Sequence, residues 1–195
     1  MATTSTTGET KTSRQRVPAA ERRDALIEAA IHEFAQGGLH GTPVDRIARR
    51  VGVAQPYVFS LFGNKRDLFL AAVERSFEQV AELFTQAAAE FDPAIALPDA
   101  DVLKAMGNAY VEMLATDRDR LMLQHQAYAA CDDEVIREHV RRCYARLVAH
   151  VQHLSDADQD RIDDFFRYGA WLNVAAAMGV EDLSVGCEWI QAERT

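Results

Sequence analysis

Three cysteines in 195 residues are too few and too scattered for a disulfide framework. Cys131, Cys143 and Cys187 also form no CxxC pair of the kind that opens a zinc site, so a reducing compartment is expected. Five prolines and ten glycines punctuate the chain sparsely, and no β-branched run alternates with period two. Sheet architectures are therefore disfavoured and an all-α fold is predicted. Long apolar runs are missing as well. The longest, from Ala170 to Val180, is broken by Asn173 and falls short of the ~20 residues that span a bilayer. No apolar leader opens the sequence, so a cytoplasmic protein without a membrane partner is expected.

Recognisable reaction chemistry is equally scarce. The sequence offers no nucleophile–base motif and no phosphate-cradling glycine loop, so neither an enzyme nor a cofactor is predicted. Asp156, Asp158 and Asp160 alternate like the start of a calcium loop, but the later glycine and glutamate are absent. They fit an acidic helix start better. His139-x3-Cys143 and His150-x2-His153 each place metal-ligand types on one helix face. Neither brings a clear third and fourth ligand in sequence, and no metal site is predicted from them.

What the chain does have is a division of charge. Its net charge of −9 conceals a segment, residues 1–66, with ten basic and six acidic side chains, whereas the remainder carries −13. A basic module joined to an acidic body is the pattern expected of a regulator that touches nucleic acid with one part only.

Periodicity divides the chain further. Residues 1–17, rich in Thr and Ser, lack any apolar stripe and are expected to be a disordered basic tail. A first helix is predicted from Pro18 to about Gln36, with Ile27, Ala30, Ile31 and Phe34 inward and Gly37-Gly38 as its stop. A short second helix starts at Thr42-Pro43, with the Thr42 hydroxyl as its cap, and ends at Gly52. A third covers Gln55 to Phe62. Asn64 then caps a long fourth helix bearing Phe69, Val73, Phe77, Val80, Phe84, Ala87 and Phe91. After a loop through Pro93 and Pro98, helices are expected over about 99–116, 118–130, 133–154, 156–179 and 182–192. Residues 18–66 would form one domain and 67–195 a second.

The most informative stretch is Ala48-x3-Gly52-x5-Val58-x2-Leu61. Two helices crossing steeply need a small residue at the crossing, which Ala48 supplies. The turn needs a residue tolerant of left-handed φ, which Gly52 supplies. Val58 and Leu61 then return apolar side chains to the first helix. This is the helix-turn-helix pattern, whose second helix enters the major groove of DNA.

Around it, Phe34-Ala35-Gln36-Gly37-Gly38, Thr42-Pro43-Val44-Asp45-Arg46-Ile47-Ala48 and the run from Gly52 to Leu68 closely resemble the DNA-binding domain of the TetR family of bacterial repressors. The likeness covers about residues 22–72. It implies a three-helix head on a helical body that dimerises through its last two helices and binds a small ligand. By position, Gln55, Pro56 and Tyr57 would face bases. Thr42, Phe59, Ser60 and Lys65 would lie near phosphates, with Pro43 and Asn64 beside them. Gln55 suits an adenine edge, and Tyr57 or Pro56 a thymine methyl. Lys65 adds charge at a helix N-terminus. Three positions depart from the family's pattern: Phe59 lacks a hydroxyl, Leu61 is apolar, and Ala54 stands where a Ser or Thr cap is usual.

In the body, Ala170 to Met178 is apolar on nearly every face, which demands cover on every face. A homodimer interface is expected from Phe165, Tyr168, Leu172, Ala175 and Ala176, joined by Leu183, Cys187 and Ile190 of the last helix. An effector pocket is expected from Phe84, Met106, Tyr110, Met113, Met122, His125, Gln126, Tyr128, Tyr144, Trp171 and Asn173. Their apolar lean points to an apolar or aromatic effector. The expected function is a ligand-responsive repressor that binds a palindromic operator on double-stranded DNA as a homodimer. The alternative is an effector-independent DNA binder whose body only dimerises or binds protein.

Overall fold

The chain reads as successive amphipathic stripes, and each stripe becomes a helix. The computed structural model describes residues 18–95, 97 and 100–180. Among them are α1 (Ala19–Gly41), α2 (Val44–Val51), α3 (Gln55–Phe62), α4 (Lys65–Glu90), α5 (Val102–Thr116), α6 (Arg118–Ala129), α7 (Glu134–Ser155) and α8 (Gln159–Met178), with no strand. The expected tail over residues 1–17 and the helix expected over 182–192 lie outside the described residues.

The head is built by α1, α2, α3 and the first turns of α4. Leu26, Ala30, Phe34, Ile47, Ala48, Val58, Leu68 and Phe69 are almost wholly buried there. Phe34 meets Phe69 edge-on, with ring centroids 5.0 Å apart, a favoured aromatic arrangement. A buried carboxylate reinforces this core. Glu33 of α1 takes Arg46 at 2.9 Å and Arg50 at 3.3 Å from α2, so the two helices are held by charge as well as by apolar packing. Because its partners supply the opposite charge, the carboxylate tolerates burial.

Two glycines shape the head. Gly38 has φ +62 and breaks the regular path of α1 where the sequence places a stop. A β-carbon there would also lie 2.5 Å from Gln126 Oε1 of α6. Gly52 closes α2 in the left-handed region, as the turn chemistry requires.

The start of α2 differs from expectation. Its cap residue is Pro43, and no side chain caps it. Thr42 is buried, and its hydroxyl donates 3.0 Å to the carbonyl of Glu33. The tight approach of Gly37 to Thr42 turns that hydroxyl back toward α1 and away from the α2 N-terminus.

Every described body helix starts on a side-chain cap. Asn64 accepts from the Asp67 amide at α4, Asp101 from Lys104 at α5 and Asp117 from Arg120 at α6. Asp133 caps α7 and Asp158 caps α8 in the same way. Each such cap contributes about 1 kcal/mol. The body packs α4, α5, α7 and α8 together, while α6 lies against α1 and ties head to body. There His32 Nδ1 stands 2.6 Å from Asp119 Oδ2. The neighbouring Arg118 reaches the other way, donating to the Ala176 and Ala177 carbonyls near the end of α8 at 3.2 and 3.0 Å.

Phe34→Ala is expected to cost about 3–5 kcal/mol, seen as a lower urea midpoint with an unchanged slope. Phe59→Ala, at a half-exposed position of the same head, should cost less than ~1 kcal/mol in the same experiment.

Candidate functional site

The eight residues of α3 sort by side. Val58 and Phe62 are buried against the head, and Tyr57 and Leu61 are half-buried and packed on it. Pro56, Phe59 and Ser60 are exposed and Gln55 is partly so, forming the outward row. Ala54 provides no side-chain cap, and Pro56 lies in the first turn, where its missing N–H costs no hydrogen bond. Ser60 Oγ donates 2.7 Å to the Tyr57 carbonyl, which leaves the oxygen free to accept. Phe59, at 37% exposure, offers an apolar ring at the surface.

The positions expected to flank phosphates divide similarly. Asn64 and Lys65 open α4 beside the end of α3. The Asn64 amide nitrogen donates 2.7 Å to Asp67, while Lys65 Nζ donates 3.1 Å to the His40 carbonyl. Partial burial holds the Lys65 ammonium below the usual lysine range. Pro43 is exposed, whereas the Thr42 side chain is buried. Sequence reasoning treated Thr42 as a surface cap because the close Gly37 approach is a tertiary fact. Arg46, Arg49 and Arg50 are further surface arginines of α2, with Arg46 and Arg50 held about half-exposed by their ion pairs to Glu33. Arg49 pairs with Asp45 at 2.8 Å, one turn away.

The body forms a cavity of about 1100 Å³, open to solvent on one side, between α4, α5, α6, α7 and α8. Of the residues expected to meet an effector, Phe84, Tyr110, Tyr128, Tyr144, Trp171 and Asn173 line it. Met106, Met113, Met122, His125 and Gln126 do not. Met106 is fully buried, His125 Nε2 lies 3.1 Å from the Asn173 carbonyl, and Gln126 abuts Gly38 at the head. A helical repeat read in one dimension does not say which of two inward-leaning faces meets the void. Val73, Phe77 and Val80 of α4, Leu103 of α5 and Phe166 of α8 belong to the wall and escaped notice.

Apolar rings dominate that wall. Phe84 stacks edge-on with Phe165 at 5.6 Å and tilts against Tyr110 at 5.8 Å. At one end sits a polar cluster. Tyr110 Oη donates 2.7 Å to Asn173 Oδ1, the Asn173 amide donates 3.2 Å to Gln124 Oε1, and Gln124 Nε2 donates 2.7 Å to Tyr128 Oη. Burial pushes the Tyr128 phenol up to about 12, and that of Tyr110 higher still, so both remain neutral hydrogen-bonding groups. Asp101 pairs with Arg161 at the cavity's edge, where Lys104 and Arg167 also stand.

The expected interface residues on α8 need correction. Ala175 and Ala176 are 2% and 4% exposed within a single chain, so their own subunit already covers them. Phe165, Tyr168 and Leu172 border the cavity. The face left outward carries Val174 and Met178. Leu183, Cys187 and Ile190 lie outside the described residues. No described helix is long and apolar enough to cross a membrane.

Residues 26–72, the head through the start of α4, match the family model for bacterial regulatory proteins of the tetR family. The HTH-type transcriptional activator FasR of Mycolicibacterium smegmatis is 36% identical over 72 residues, 37% of this chain and 33% of that protein. The HTH-type transcriptional repressor AcnR of Corynebacterium jeikeium is 34% identical over 64 residues, 33% of this chain and 34% of its own length. The likeness thus spans about a third of these relatives' length.

Solved structures extend it to the body. A TetR family member from Streptomyces coelicolor superposes with a TM-score of 0.66 at 22% identity, covering 83% of this chain and 90% of that one. The fatty acid degradation regulator FadR from Bacillus halodurans gives 0.65 at 18% identity, covering 88% and 89%. These likenesses carry the fold alone. Residues 26–72 thus form a helix-turn-helix head that matches the tetR family of bacterial regulatory proteins in sequence, on an all-helical body that shares the fold of solved TetR-like structures.

Proposed function

We propose that this protein is a ligand-responsive transcription regulator, acting as a repressor, that binds a near-palindromic operator as a homodimer and is released by a small apolar or aromatic effector. The observation that carries the proposal is the path of α4. Its first turn adjoins α3, and further along the same helix Val73, Ser76, Phe77, Val80 and Phe84 form one wall of the cavity. A ligand that displaces this wall moves the mounting of the DNA-reading helix. It weakens DNA binding by the difference between its affinities for the two arrangements.

Gln55, Pro56 and Tyr57 are the base-reading residues in this proposal, with Ser60, Lys65 and the α2 arginines near phosphates. Homodimerisation through the outward face of α8 would cover Val174 and Met178, which are 41% and 59% exposed. It would set two recognition helices about one DNA turn apart. The aromatic wall suits an apolar effector body, and the Tyr110–Asn173–Gln124 cluster suits one polar group on it.

The first test is binding to DNA flanking the protein's own gene across a salt titration. Tight, salt-sensitive binding is expected, and Gln55→Ala with Tyr57→Ala should weaken it by ~10-fold or more while leaving the fold intact. Equal binding to unrelated DNA would remove the recognition assignment. For the body, Gly107→Trp should fill the cavity beside Phe165, abolishing uptake of an environment-sensitive naphthalene dye without loss of DNA binding. For the interface, Val174→Arg should place like charges opposite each other, costing several kcal/mol of association. Analytical ultracentrifugation would then show a folded monomer, and an unchanged dimer would refute the α8 assignment.

A further inference from the structure

We propose that Glu74, His139 and Cys143 form a binding site for a thiophilic divalent cation, with zinc as the ion that fits best. His139 and Cys143 stand one turn apart on α7 and face α4, which supplies Glu74. Their ligand atoms all lie within 4.8 Å of one another. A tetrahedral ion with bonds of about 2.0–2.3 Å separates its ligands by roughly 3.5 Å, so the cluster has to tighten by about 1 Å. Rotation of the Glu74 side chain can supply that closure. Three protein ligands of nitrogen, sulfur and oxygen type leave the fourth position to water, and the partly exposed Glu74 gives water a route.

Two observations distinguish this cluster from a chance meeting of polar side chains. The first is the imidazole. His139 Nε2 is buried and has no hydrogen-bond partner, and the nearest Glu74 oxygen is 4.0 Å away. In the neutral tautomer that carries its proton on Nδ1, the ring presents the Nε2 lone pair to the cluster, the form in which a histidine ligates through Nε2. Buried nitrogen without a partner is otherwise uncommon in folded proteins.

The second is the charge already lodged beside the site. Arg146 Nη2 donates 2.8 Å to Glu74 Oε1 and 3.3 Å to Cys143 Sγ. A cation thus already bridges the same carboxylate and the same sulfur. The Arg146 side chain is 59% exposed, so it can leave for water when a metal ion takes its place. Soft thiolate and imidazole ligands together with one carboxylate favour zinc over magnesium or calcium, which prefer all-oxygen sites.

Cobalt(II) titration of the metal-free, full-length protein tests this, with Cys131 and Cys187 replaced by serine so that one thiol remains. One cobalt per chain should bind with a thiolate-to-cobalt charge-transfer band in the near ultraviolet, and zinc should displace it. Cys143→Ser should abolish the band. Glu74→Gln and His139→Gln should each weaken binding by more than ~10-fold, the least expected when a ligand itself is lost. Circular dichroism of each metal-free variant verifies that the helices persist. No band under a large excess of cobalt in folded protein, or a band that survives Cys143→Ser, would overturn the proposal.

Discussion

Everything in this fold is referenced to α1. Its inward stripe of Leu26, Ile27, Ala30, Ile31 and Phe34 is buried, and the same helix serves two separate packing surfaces. One is the head, where Phe34 meets Phe69 and Glu33 holds Arg46 and Arg50. The other is α6, where His32 meets Asp119 and the space at Gly38 is filled by Gln126. A helix committed on both sides cannot rotate to suit one partner without disturbing the other. The helix-turn-helix is therefore oriented by the body as well as by its own small core.

The body answers a different demand, which is to stay ordered around a void. A cavity of this size removes packing contacts from the side chains that line it. Compensation comes from the ends of the helices, since α4 through α8 each begin on an Asn or Asp side chain. The aromatic rings around the void also brace one another, with Phe165 touching both Phe84 and Phe166. Order at the rim and edge-to-face contact within it keep the space open without a rigid apolar filling.

How much of this was legible in the sequence follows from what each signal depends on. Helix positions rest on local periodicity and caps, and these were readable: α3 runs from Gln55 to Phe62 as expected, and α5 to α8 start within about three residues of the expected positions. Left-handed Gly52 and the Asn64 cap were also readable, because turn and cap chemistry is local. Facing was not. Ala175 and Ala176 turn into their own subunit, while Met106, Met113 and Met122 do not line the cavity, because the apolar second half of α8 and mixed stripes on α5 and α6 leave the direction of burial to tertiary packing. Thr42 shows the same limit at short range. Its hydroxyl had a plausible local partner, and a buried carbonyl on α1 took it instead. Glu74 joins His139 and Cys143 only when α4 and α7 are laid side by side, a pairing that spacing along one helix does not express.

The start of α6 has a mechanical meaning. Arg118 grips the carbonyls at the end of α8, and its chain neighbour Asp119 grips His32 on α1. The two residues pull on opposite partners from adjacent peptide units, so that turn of helix behaves as a yoke. A shift of the α8 terminus reaches the mounting of the head through one peptide bond, with no need to propagate across the aromatic wall. The end of α8 and the mounting of the head are thereby joined by a contact that runs beside the aromatic wall and adds to the path along α4.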